Sequence, residues 1–214
     1  MTVASSGNTR RRAMDAALEI FAQKGYHGAC VGDVAEALGI KSPSLYKYFK
    51  GKDDLYAALL AEADAHFQSL WADVAARLER LEHAAVQAGV LTPERLEEDG
   101  GGWFFDQLDD GPASCYRRLL VGRACLWEQP IALFEGLFAR LIDREILRRG
   151  DPHVMAVEFV APLVQLWQLR DGQPGRAEAC AEEARRHLRQ FHRVFAHREP
   201  RSGGNGPVGR LFRR

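Results

Sequence analysis

Between residues 31 and 56 the chain reads VGDVAEALGIKSPSLYKYFKGKDDLY, two short helical segments hinged at a Gly39-Ile40 turn. The first segment, Asp33 to Leu38, turns Val34, Ala35 and Leu38 to one side. The second, Pro43 to Phe49, brings Leu45 and Phe49 together four residues apart, on one helical face. Pro43 occupies a first-turn position, where its missing N–H costs nothing. The outer surface is left to Ser42, Ser44, Lys47 and Tyr48, with Tyr46 beside them. Two short helices crossed at a glycine turn are the unit that lays its second helix in the major groove. Hydroxyls and a lysine suit both phosphate oxygens and base edges. The expected partner is therefore double-stranded DNA.

The flanking sequence supplies a third helix and a long fourth one. Asn8 or Thr9 can cap a helix reaching Lys24, with Ala13, Ala17, Ile20 and Phe21 on one face and Gly25 as its stop. From Lys52 or Asp53 the apolar residues Leu55, Leu59, Ala63, Phe67, Leu70 and Val74 recur every three or four positions. Further on, Thr92-Pro93-Glu94 starts a helix and Gly100-Gly101-Gly102 should end any helix nearby. Gly111-Pro112 opens a helix through Trp127, Pro130 another to about Arg149, and Asp151-Pro152 a third to about Leu169, kinked at Pro162. Arg176 to His197 forms the last. Ala, Leu, Arg and Glu dominate, and β-branched runs of period two are absent, so the chain is expected to be all-α. Three parts follow: a helix-turn-helix domain over 8–52, a helical regulatory domain over 53–198, and a basic, disordered tail over 199–214.

The formal net charge of zero conceals an asymmetry. Through Leu60 there are 8 basic residues against 6 acidic ones, from Ala61 to Pro200 there are 17 against 23, and the last fourteen residues carry four Arg and no acid. A basic front on an acidic body suits a protein whose front meets phosphate. The four cysteines are single and widely spaced, which fits reduced thiols in the cytoplasm better than a zinc site. No apolar run approaches the ~20 residues that span a bilayer, so no membrane partner is expected. Enzymatic chemistry finds little support. His187, His192 and His197 are five apart, each step rotating about 140° on a helix, and no phosphate-cradling loop, nucleophile elbow or cofactor motif is present.

Residues 9–60 resemble the N-terminal domain of the TetR family of bacterial transcriptional repressors. The resemblance rests on Ala17-Leu18-x-x-Phe21-Ala22-x-x-Gly25-Tyr26, on Asp33-Val34-Ala35 and on Leu38-Gly39-Ile40. It ends with Ser44-Leu45-Tyr46-x-Tyr48-Phe49-x-x-Lys52-x-x-Leu55. It implies that Ser42, Pro43 and Ser44 approach bases or backbone in the groove. It likewise implies that Tyr46, Lys47 and Tyr48 contact phosphates or base edges and that Lys52 clamps phosphate. The chain departs from the pattern at Cys30-Val31, where such proteins usually carry Thr or Ser to cap the second helix.

One such unit makes few contacts, so these folds bind paired half-sites as dimers. The expected homodimer element is about 153–197. There Val154, Val157, Phe159, Val160, Leu163, Leu166 and Trp167 make one helix apolar nearly all round, and Leu188, Phe191, Val194 and Phe195 line the next. Phe67, Trp71, Trp103, Phe104, Phe105, Tyr116, Trp127 and Phe134, with Arg123 as a polar contact, are the expected walls of a small-molecule pocket. Trp103 to Phe105, after three glycines, has the composition of a lid. The resulting expectation is a repressor released from a palindromic operator by an apolar or aromatic effector. The alternative is a helical ligand-binding or interaction module that ignores DNA.

Overall fold

The structure is a computed structural model that describes residues 3–107, 111–121, 123 and 126–196. The expected tail over 199–214 lies outside the described residues. Among those residues the chain is all-helical, apart from one isolated antiparallel bridge between Leu147 and Ala196.

Helix α1 (Val3–Gly28) is broken at Gly25, whose φ of 68° lies where glycine is favoured. α2 (Val31–Ala37) and α3 (Ser42–Leu45) follow, separated by Gly39 at φ 66°. α3 is shorter than expected as an α-helix, but Tyr48 and Phe49 still donate their N–H groups to the Leu45 carbonyl, so a helical turn carries on to Phe49. Ala13, Ala17, Phe21, Val34, Ala35, Leu45 and Phe49 close a small core with the start of α4.

α4 (Lys52–Ala88) is 37 residues long, about 55 Å at 1.5 Å per residue. Its buried stripe of Leu55, Leu59, Ala63, Phe67, Trp71, Val74, Leu78, Leu81 and Ala85 runs from the front core into the body. Leu70, expected on this stripe, lies half-buried at its edge. The body adds α5 (Pro93–Arg95), a π-helical turn (Leu96–Gly100), α6 (Gly102–Asp106), α7 (Pro112–Leu119), α8 (Glu128–Asp143), α9 (Pro152–Gly172) and α10 (Ala177–Phe195). α7 stops well short of Trp127, and α8 ends before Arg149. Asp151 caps α9 by accepting from the His153 and Val154 N–H groups, and α9 passes through Pro162 as one helix.

As expected, the glycines interrupt helical structure: the π-helical turn ends at Gly100 and α6 begins at Gly102. Gly100, Gly101 and Gly102 are all buried, and a Cβ on Gly101 would stand 2.3 Å from Leu188 Cδ1 of α10. They are there to let two helices approach. Trp103 and Phe104, expected to form a lid, are buried in the body core. Trp103 meets Trp167 edge-on at 4.7 Å, Phe104 stacks on Trp167 at 5.8 Å, and the Trp103 indole donates to the Gly100 carbonyl at 2.9 Å.

Overpacking that contact should be costly. Gly101→Ala is expected to lower stability by about 1–3 kcal/mol, measured by urea denaturation. An unchanged midpoint would show that Leu188 yields freely.

Candidate nucleic-acid interface and body cavity

In the front domain, side-chain contacts tie α1 to α2 and to the start of α4. The Cys30 N–H donates to Asp33 Oδ2 at 2.8 Å, and Lys24 Nζ lies 3.1 Å from the same carboxylate. These contacts, the Cys30 amide first, hold the Asp33 carboxyl below its ordinary range. The acid three residues into α2 thus caps the helix, although the N-cap residue is a cysteine. At the start of α4, Lys52 Nζ sits 4.4 Å from the centre of the Tyr26 ring, and the Tyr26 hydroxyl donates to Asp53.

The outward face of α3 and the turn after it carries Pro43, Tyr46, Lys47 and Lys50, all exposed, at the i, i+3, i+4, i+7 spacing of one helix surface. Tyr46 is 56% exposed, an unusual amount for a large aromatic side chain. Ser42 and Ser44 are half-exposed at the edge of this face. Tyr48 is half-buried and packs on the core, and Lys52 is partly covered by Tyr26. Among the described residues no carboxylate pairs with the side chains of Lys41, Lys47 or Lys50, so three lysines surround Tyr46 in sequence without counter-charges. Lys41 was missed in the sequence because it lies just before the helix. The arginine run upstream is less free: Arg10 lies over the Phe49 ring at 5.2 Å, and Arg11 is ion-paired.

Arg11 leads from front to body. Its Nη1 donates to Glu62 Oε1 at 2.5 Å, and its Nη2 pairs with Asp15 at 2.8 Å. The Tyr116 hydroxyl of α7 donates to the same Glu62 oxygen at 2.9 Å. One carboxylate of α4 therefore joins α1 to α7. Burial, then the bond to Glu62, pushes the Tyr116 phenol up to about 12.

The expected pocket residues are dispersed. Phe67, Trp71, Trp103, Phe104 and Phe134 are fully buried and packed ring against ring, as core. Tyr116 is buried and tied to Glu62, Trp127 is half-buried against the core, and Arg123 is exposed. Phe105, with Arg185 above its ring, borders a polar surface groove shared with Arg77 and Glu97. The five fully buried rings pack a core instead of surrounding a void.

An apolar cavity of about 200 Å³ lies elsewhere, between α7 and α9. Val121, Leu126, Val164 and Trp167 wall it, with Arg117, Arg118 and Asp171 among its polar residues. Arg117 Nε and Nη2 each donate to Asp171 at 2.7 Å, with the two side chains 3% and 4% exposed. Sequence reading missed this pair because its members stand 54 residues apart and charged residues are surface by default.

Residues 13–59 match the family model described as bacterial regulatory proteins, tetR family. Over these residues the chain is similar to that family. A fatty acid metabolism regulator protein of Bacillus subtilis (strain 168) is 37% identical over 54 residues, covering 25% of this chain and 28% of that protein. The transcriptional repressor ComR of Escherichia coli (strain K12) is 41% identical over 51 residues, covering 24% of each. The chain thus spans about a quarter of the length of these relatives. Over nearly the whole length the likeness is one of fold. SmeT, the repressor of the Stenotrophomonas maltophilia multidrug efflux pump SmeDEF, superposes with a TM-score of 0.58 at 15% identity, covering 89% of this chain and 91% of that one. A SmeT–triclosan complex gives a TM-score of 0.61 at 14% identity, covering 96% and 100%.

Two outcomes follow from the geometry of the buried groups. Arg117→Met alone leaves Asp171 buried without a partner and should cost about 3–5 kcal/mol, whereas Arg117→Met with Asp171→Leu should recover most of that. Equal losses in single and double variants, read by chemical denaturation, would contradict the account. For Tyr116 the neutral phenol is the favoured form in the fold, so its contribution is complete below the unfolded value of about 10 and fades as pH rises toward 12. Tyr116→Phe should therefore lower stability by about 1 kcal/mol at neutral pH and reduce its decline in alkali; a decline as steep as in the parent chain would contradict this.

Proposed function

We propose that the chain is a sequence-specific DNA-binding transcriptional regulator that acts as a homodimer. The observation that carries this reading is the exposed face of Pro43, Tyr46, Lys47 and Lys50 on a three-helix unit whose core is complete without it. A tyrosine left in solvent among unpaired lysines has the chemistry of a groove-reading surface: positive charge for phosphates, and a phenol able to meet a base edge or a phosphate.

The dimer is proposed to form through α9 and α10, about residues 153–197. Within one chain Phe159, Val160, Leu163, Trp167, Leu188 and Phe191 are already spent on the core. Val154 and Val157 on α9 are left 49% and 36% exposed, with Val194 of α10 at 41%. A second copy of these two helices would cover them in a four-helix arrangement.

The further step is repression relieved by a small apolar or aromatic molecule. A structure of a SmeT–triclosan complex supports a ligand-controlled body for the same fold. A ligand in the body would move α7, and Tyr116 would pass that motion to Glu62 and Arg11 and so to α1 and α4. A hundredfold preference for the DNA-free form supplies roughly 2.7 kcal/mol, enough to release an operator held by a modest margin.

Tyr46→Ala and Lys47→Ala, together in a folded chain, should weaken duplex binding at least about tenfold and flatten its salt dependence. Retained affinity in a gel-shift titration would overturn the DNA reading. Val157→Glu should shift the chain from dimer to monomer in sedimentation velocity and weaken operator binding with it. A dimer unaffected by that charge would place the interface elsewhere.

A further inference from the structure

We propose that the cavity between α7 and α9 binds a small organic acid, with its carboxylate at Arg118 and its apolar part against Val121, Leu126, Val164 and Trp167. This deepens the ligand-controlled reading above and rests on it for the effect on DNA, though not for binding itself.

Charge carries the first part of the argument. Arg117 and Asp171 neutralise one another through two 2.7 Å hydrogen bonds in a nearly solvent-free setting. Among the described residues Arg118 has no such partner: its Nη2 makes a 3.3 Å hydrogen bond to the Cys115 sulfur, a weak acceptor, and its Nε is buried with no acceptor. Among the described residues the lining therefore keeps one uncompensated positive charge, held partly out of water beside apolar walls. A guanidinium so placed gains most from one carboxylate, which its planar fork meets with two charge-assisted hydrogen bonds. A dianion such as a phosphate monoester would overcompensate the single charge and bring it to walls that solvate it poorly.

Size and wall chemistry narrow the class. About 200 Å³ is less than the roughly 300–1,000 Å³ of sites for drug-sized ligands. Sugars and nucleosides need many polar partners, and the walls are aliphatic and indole surface. Val121, at the edge of the cavity, is 60% exposed, an apolar side chain that an apolar ligand would cover. A short aliphatic or single-ring carboxylic acid fits each condition. The site is also placed to act, because Arg117 and Arg118 follow Tyr116 directly on α7, and Tyr116 holds Glu62.

The test uses the full chain with benzoate and hexanoate as probes, and benzamide and hexanamide as their neutral isosteres, by titration calorimetry. The acids should bind at least about tenfold more tightly than the amides. Arg118→Gln should remove that preference with an unchanged unfolding midpoint, and Arg118→Lys, which keeps the charge, should retain part of it. Amides binding as well as acids, a preference that survives Arg118→Gln, or no saturation by either acid at about 10 mM would each overturn the assignment. A parallel gel shift separates the two readings. Acid binding that leaves duplex affinity unchanged keeps the cavity assignment and removes its role as an effector site. Acid binding by a chain that binds no duplex keeps the cavity assignment and overturns the DNA reading.

Discussion

The buried stripe of α4 joins everything else in this molecule. Leu55 and Leu59 belong to the core of the three-helix front, and Trp71, Val74 and Leu78 to the core of the body, yet all lie on one face of an uninterrupted helix. A helix cannot bend between two cores without losing contacts in one of them, because interiors are close-packed and yield little to strain. The front is therefore carried on a rigid arm whose angle is set by what the body packs against it. Asp53 and Asp54 in the first turn, and Gly89 in the left-handed region after the last, bound that arm at either end.

On this arm Glu62 has a special position. It stands between the two cores, and one of its oxygens accepts from α1 on one side and α7 on the other. An ion pair as exposed as Arg11–Glu62 adds little to stability, but a shared acceptor imposes a common geometry on three helices. α7 in turn carries the buried Arg117–Asp171 pair to α9, the helix proposed to meet the partner subunit. In the proposed mechanism the polar side chains of α7 thus bring the ligand cavity, the dimer helices and the DNA-reading domain into register. Stability comes from the apolar stripe and the ring cluster, and the polar contacts specify how the helices are set.

The front was legible in the sequence because its determinants are local. The Gly39 turn, the first-turn Pro43 and the Leu45–Phe49 pair each act within a few residues, and the pattern of inward and outward positions follows from helical spacing alone. Tyr48 shows the limit of such reading, since whether a residue at the edge of a helix faces the core depends on α1 and α4. The body was harder for the same reason. Three glycines in a row read locally as a break, which they are, but Gly101 also answers to Leu188, which lies far along the chain and close in space. Trp103 and Phe104 then follow the glycines into the core instead of forming a lid. The Arg117–Asp171 pair left no local signal at all, and the apolar surround of α9 announced burial on two sides without saying which side belonged to the chain itself.

The central claim is that the surface around Tyr46 and Lys47 lies against bases when the molecule works. Selection of bound duplexes from a random pool by the full chain tests it most directly. The account predicts enrichment of one short sequence present twice, in inverted orientation, with its centres about one helical turn or a multiple of it apart. Recovery of a pool no different from the starting one would contradict it.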